Sequence, residues 1–229
     1  MKLVHPDSLA DTLNVINQAF FTEQALTMRQ CEQAARWIAA RQGQPRAYAG
    51  MPAPTEHDFS AGMAVFTGER VRTGAATAHI LGEEACRALI LLRARLPEVR
   101  AALARATAGM EQRLARCEQS SGAPAGMYCC GICTCAYWRH LAAGGLSRNE
   151  ERLAAGMKAL KAHRLDTGRW RRFPFFYALL ALTEIDPALS RQEMKFAAPA
   201  CERHLGTRGA STPNVTRRRR VAATILAKA

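Results

Sequence analysis

Residues 153–185 read LAAGMKALKAHRLDTGRWRRFPFFYALLALTEI, and the fold follows from how this stretch divides. Its first half spaces Leu153, Met157 and Leu160 as one face of an amphipathic helix. Asp166-Thr167-Gly168 supplies the residues of a tight turn. The second half, from Phe175 to Leu182, is apolar on every side, and a helix of that kind has to be buried. The unit is therefore an outer helix, a turn and an inner helix. Two further segments have the inner character, ILGEEACRALILL at 80–92 and ICTCAYWRHLAA at 132–143.

Around these the chain alternates. Asp7 or Ser8 is placed to cap a first helix with Leu9, Leu13, Ile16 and Phe20 on one stripe, and a second runs from about Thr22 to Arg41. A long irregular stretch at about 43–73, rich in Gly and Pro, also carries Tyr48, Met51, Phe59, Met63 and Phe66, which suits a packed loop. Ser147 and Ser190 are placed to cap later outer helices. Ala108-Gly109-Met110 recurs as Ala155-Gly156-Met157. Alternating helices with such spacing predict an all-α chain of stacked αα-hairpin repeats. Residues 1–206 are expected to form one helical repeat domain, with 207–229 a basic, flexible tail that has room for a short terminal helix at Val221 to Ala227.

The 229 residues are 48% hydrophobic and 22% charged, within the range of globular proteins able to bury a core. No apolar run is long enough to cross a bilayer. Asp7 and Asp11 interrupt the place where a signal peptide needs its apolar region, so a cytoplasmic protein is expected. The net charge is +13, and residues 207–229 contribute Arg208, Arg217 to Arg220 and Lys228 against no acid. That balance favours nucleic acid or another acidic partner through the basic surface and tail.

The segment Leu160 to Trp170, LKAHRLDTGRW, followed by Tyr177 to Leu182, YALLAL, resembles the repeat of squalene cyclases and protein prenyltransferases. Weaker outlines lie at Arg36 to Met51 and at Leu114 to Tyr128. The resemblance implies an α/α toroid, or an arc of one, whose inner helices enclose an apolar cavity for isoprenoid-like ligands. Two arcs closing a ring as a homodimer would suit so short a chain. The family's Asp-x-Asp-Asp, Asp-Asp-x-x-Asp and Asp-x-Cys motifs are absent, so none of its catalytic residues carries over. Binding of a hydrophobic ligand is thus the leading expectation, and whether any reaction occurs stays open. Trp170, Phe173, Phe176, Tyr177 and Tyr137 would form its walls, with Arg172 beside an anionic head group.

Two constellations could carry chemistry. Cys129, Cys130, Cys133 and Cys135 fall within seven residues, and the Cys130-x-x-Cys133 spacing lets two thiolates chelate one ion. If the helix starts near Cys129, then Cys129, Cys133 and His140 share a face. His79, Cys86 or the His57-Asp58 loop would supply a fourth donor to zinc or an iron-sulfur cluster. The same thiols could instead serve as a redox or metal sensor, or pack a close helix contact. The second constellation is Glu83 in the first inner helix, four residues after His79, an acid or base pair if buried. Glu83 could equally pair with Arg87 or Arg139. Motifs for phosphate loops, dinucleotides, zinc proteases and serine hydrolases are absent.

Overall fold

The computed structural model describes residues 2–207 and 211–229. Arg208, counted above in the basic tail, lies outside them. Ten helices and one two-stranded ribbon are found among the described residues, so the chain is all-α as expected. None of these helices is long and apolar enough to cross a membrane. The chain divides into two compact units.

The first unit comprises Met1–Met63, Arg70–Ala123 and Ala143–Ser147. It holds α1 (Leu9–Phe21), α2 (Met28–Ala39), α3 (Glu56–Ser60), α4 (Gly74–Leu92) and α5 (Pro97–Ser121). Of Asp7 and Ser8, the two residues expected to cap α1, Ser8 does so, accepting from the Asp11 N–H at 2.9 Å. The second helix begins later than its periodicity suggests. Thr22 closes α1 with its N–H on the Gln18 carbonyl, and Thr27 with Gln30 forms a reciprocal capping box that starts α2 afresh. Fourteen of the 19 residues of α4 are buried, against five of 25 in α5, which separates inner from outer helix. Leu81, Ala85, Leu89 and Leu92 of α4 join Leu9, Leu13, Ile16 and Ile38 in one apolar core.

Asp58, considered above as a metal donor, is engaged elsewhere. It is 2% exposed and accepts from Ser8 Oγ (2.7 Å), from the Leu9 and Ala10 N–H groups (3.1 Å each) and from the Thr55 N–H (2.7 Å). A carboxylate there satisfies the orphan donors of α1 and faces the positive end of its dipole. Asp58→Ala strands several buried donors at once, each costing about 1–3 kcal/mol. The expected result is an unfolding free energy lower by about 3 kcal/mol in urea titration, and a loss near zero would refute this role.

The second unit comprises Ala64–Glu69, Pro124–Ala142 and Arg148–Ala229. It holds α6 (Gly131–Ala142), α7 (Asn149–Lys161), the ribbon β1 (Arg164–Leu165) with β2 (Arg169–Trp170), α8 (Phe175–Glu184), α9 (Pro187–Gly206) and α10 (Pro213–Lys228). The strands pair antiparallel, Arg164 opposite Trp170, around the Asp166-Thr167-Gly168 turn, where Gly168 takes φ +75°. Ten of the 12 residues of α6 and seven of the ten of α8 are buried, and these two inner helices pack on each other. The serine caps expected at 147 and 190 are not used. Arg148, in a left-handed conformation, precedes α7, and the Asp186 side chain caps α9.

In the tail expected to be flexible, the helix is longer than the short one expected at Val221 to Ala227: α10 spans Pro213–Lys228 and packs on α8 and α9 with Val221, Ala222 and Ile225 buried. Its arginines turn back on the unit. Arg217 and Arg218 donate to the Phe66 and Thr67 carbonyls at 3.0 and 2.7 Å, and Arg219 donates to those of Leu205 and Thr207. An arginine-rich segment reads as solvated in sequence because carbonyl acceptors so distant along the chain leave no local signature.

Candidate thiol site

The cysteine cluster sits where a short irregular segment enters α6. Three contacts fix that entry. The Trp138 indole N–H donates to the Gly126 carbonyl at 2.7 Å, and the Tyr137 hydroxyl donates to that of Ala125 at 2.9 Å. The Thr134 hydroxyl accepts from the Tyr128 N–H and donates to its carbonyl. Gly131, the first residue of α6, lies against the Arg172 carbonyl, where a Cβ would collide with backbone. The helix therefore begins at Gly131, two residues later than the face shared by Cys129, Cys133 and His140 requires. Cys129 lies outside it, with φ +64°.

This start sets the chemistry. Cys130 occupies the capping position, its carbonyl accepting from the Thr134 N–H at 2.8 Å. Its thiol is exposed and lies 3.5 Å from the buried Cys133 sulfur. The sulfurs of Cys129 and Cys133 lie within 4.8 Å of each other. The two CxxC thiols are pushed in opposite directions. Partial burial acts to raise the Cys130 pKa. Donation from the Cys133 N–H and thiol, the Ile132 N–H and the Cys129 thiol outweighs it and leaves Cys130 below an ordinary thiol. Burial, then the charge of Cys130, raises Cys133. Cys135, fully enclosed, is raised by burial and by Glu69.

Of the five residues expected as metal ligands, the structure gathers Cys129, Cys130 and Cys133, and these three thiols could hold a metal ion. Cys135 points about 200° around α6 from Cys133. His140 is buried two turns, roughly 10 Å, further along the axis.

The acid-base pair of the first unit forms as the i, i+4 spacing suggests. His79 Nε2 and Glu83 Oε1 are 3.3 Å apart, with both side chains 1% exposed or less. The Tyr48 ring stacks on His79 at 4.4 Å. Arg87 lies 3.9 Å from Glu84, and Asn17 links the two, accepting from Arg87 at 2.8 Å and donating to Glu84 at 3.2 Å. Arg139 is held by Glu184 through two bonds of 2.9 Å.

The aromatic residues expected to wall a ligand cavity are mostly interior. Tyr137, Trp170, Phe173 and Tyr177 are buried, Phe176 is half-buried and Arg172 is exposed. Phe173 stacks on Trp138 at 5.5 Å, and the Trp170 indole donates to Glu193 at 2.9 Å. A pocket of about 320 Å³ lies instead at the ends of α6, α7 and α9, lined by Leu141, Asn149, Glu150, Leu153, Asp186 and Leu189 among others.

Comparison with protein-family models, with curated proteins and with solved structures finds no match.

Two features of the site escape sequence reasoning. Trp138 and Thr134 lock the entry segment but read as ordinary members of an apolar helix. Glu69 accepts from the Phe176 and Tyr177 N–H groups at 3.1 Å and so caps α8, more than a hundred residues away in sequence.

Proposed function

We propose that the chain is a thiol-exchange protein whose working centre is Cys130, with Cys133 as its resolving partner. One observation carries this reading. An exposed sulfur at the start of a helix stands 3.5 Å from a buried sulfur one turn inside it. The unsatisfied N–H groups at a helix start favour a thiolate, and the thiolate is the reactive form. In the first step the Cys130 thiolate attacks one sulfur of a disulfide partner. The partner's other sulfur leaves as a thiolate, and a mixed disulfide remains. Cys133 then gives up its proton, attacks Cys130 Sγ and displaces the partner's second thiolate. The protein dithiol is oxidised to a disulfide while the partner disulfide is reduced to two thiols.

The test is to incubate reduced protein with a low-molecular-weight disulfide and map the product by mass spectrometry. The expected product has lost two hydrogens and carries a Cys130–Cys133 link. Exchange confined to Cys117, the exposed thiol of α5, would overturn the reading.

A metal ion held by Cys129, Cys130 and Cys133 is the second reading, favoured by the gathering of three sulfurs. It predicts metal in protein purified without chelator, and thiols that react only after chelation. The apolar-ligand expectation has weaker support, because Phe173 packs on Trp138, Trp170 on Phe175 and Tyr137 on Tyr128, and none of the assigned side chains lines the pocket described above.

A further inference from the structure

In the second unit, the start of α8 presents two neighbouring rings, Phe175 and Phe176, with centroids 5.1 Å apart and edge to face. Three elements bring positive or titratable groups onto them. Arg169 of β2 stands 4.7 Å from the Phe175 centroid, and Arg218 of α10 stands 5.0 Å from that of Phe176. The His204 ring of α9 lies 4.6 Å from Phe176. Arg219 adds a nearby positive charge, held in place by the carbonyls that end α9.

We infer that Arg169, Arg218 and His204 form an anion site for the phosphate or diphosphate group of a small molecule. Three features support it. None of Arg169, Arg218, Arg219 and His204 forms an ion pair among the described residues, the acid in play being Glu202, which with Arg169 acts on Cys201. Arg218 is aimed rather than free. Its Nε donates to the Thr67 carbonyl at 2.7 Å, which fixes the guanidinium plane and leaves both terminal nitrogens for an acceptor. His204 Nε2 is removed from solvent and has no hydrogen-bond partner among the described residues, a donor or acceptor position that a ligand oxygen would complete. Partial burial, then the fields of Arg219, Arg218 and Arg169, hold the His204 pKa below its ordinary value.

Chemistry distinguishes the ligand class. A single-stranded nucleic acid needs open aromatic faces for its bases. Here Arg169, Arg218 and His204 already stand against both rings, so the site recognises a compact multiple charge. Arginine forks suit the oxygens of a phosphate.

The test uses the full chain and inorganic pyrophosphate as probe, with thermal unfolding and titration calorimetry. Pyrophosphate at millimolar concentration is expected to raise the melting temperature in a concentration-dependent way. Arg169→Gln is expected to weaken binding about tenfold, the loss of one charge-assisted bond. Arg169 is exposed and makes no hydrogen bond through its side chain, so this variant keeps the fold. The His204 imidazole resonances should shift on titration, which a purely structural histidine would not show. No stabilisation, equal stabilisation of the variant, or binding of an oligonucleotide that pyrophosphate fails to displace would each overturn the site.

Discussion

Gly156→Ala is expected to destabilise the protein by about 3 kcal/mol or more, although the same change in an open helix would stabilise it by up to about 1 kcal/mol. Gly156 lies within α7, and a Cβ there would stand 2.5 Å from Trp138 Nε1 and 2.8 Å from the Gly126 carbonyl oxygen. Those two atoms are hydrogen-bonded to each other at 2.7 Å, so neither can retreat without breaking the bond that fixes the entry to α6. Overfilling a packed site costs about 1–3 kcal/mol when side chains can shift. Here the obstacles are backbone and a buried indole, which places the cost at the upper end. Gly109→Ala in α5 should behave likewise, because its Cβ would collide with the Ala49 carbonyl. Urea unfolding followed by circular dichroism decides the matter through its sign. A stabilised Gly156→Ala protein would mean that the close approach is not real.

These glycines show how far the sequence could be read. The recurrence of Ala-Gly-Met at 108–110 and 155–157 marks matching places on α5 and α7, and the match is visible without a structure. What each glycine receives is not. The carbonyls come from Ala49 and Gly126, within Ala49-Gly50-Met51 and Ala125-Gly126-Met127, two of the three further copies of the same tripeptide. These copies lie in irregular segments, which have no period to announce them. The inner helices were legible because an all-apolar helix has only one kind of place to go, and Ser8 because caps act over three residues. Asp58 and Glu69 were not, since each serves a helix start about fifty or more residues away. Within the thiol site the Cys130-x-x-Cys133 pair was legible from spacing. The departure of Cys129 from the helical face of Cys133 was not, because α6 starts at Gly131, packed against the Arg172 carbonyl about forty residues away in sequence.

The largest functional effect is expected at Cys130. In reduced protein at neutral pH, alkylation mapped residue by residue should show Cys130 modified faster than Cys117, with Cys133 and Cys135 last. Cys130→Ser should remove the fast phase altogether, since the thiolate is the reactive form and the thiol held below its ordinary pKa is gone. Cys133→Ser separates nucleophile from resolver. It should keep the fast alkylation yet accumulate a mixed disulfide at Cys130 with any small disulfide, because nothing remains within 3.5 Å inside the helix to displace it. Fast release of that mixed disulfide would show that Cys129 or solvent thiol resolves it instead. Stability should follow the same ionisation. A thiol whose folded pKa lies below its unfolded value adds stability that is complete above the unfolded pKa and lost as pH falls through the folded one. The stability difference between reduced wild type and Cys130→Ser should therefore grow as pH rises through the range just below an ordinary thiol pKa. A difference independent of pH there would mean that the helix start does not favour the thiolate, and the exchange mechanism would lose its nucleophile.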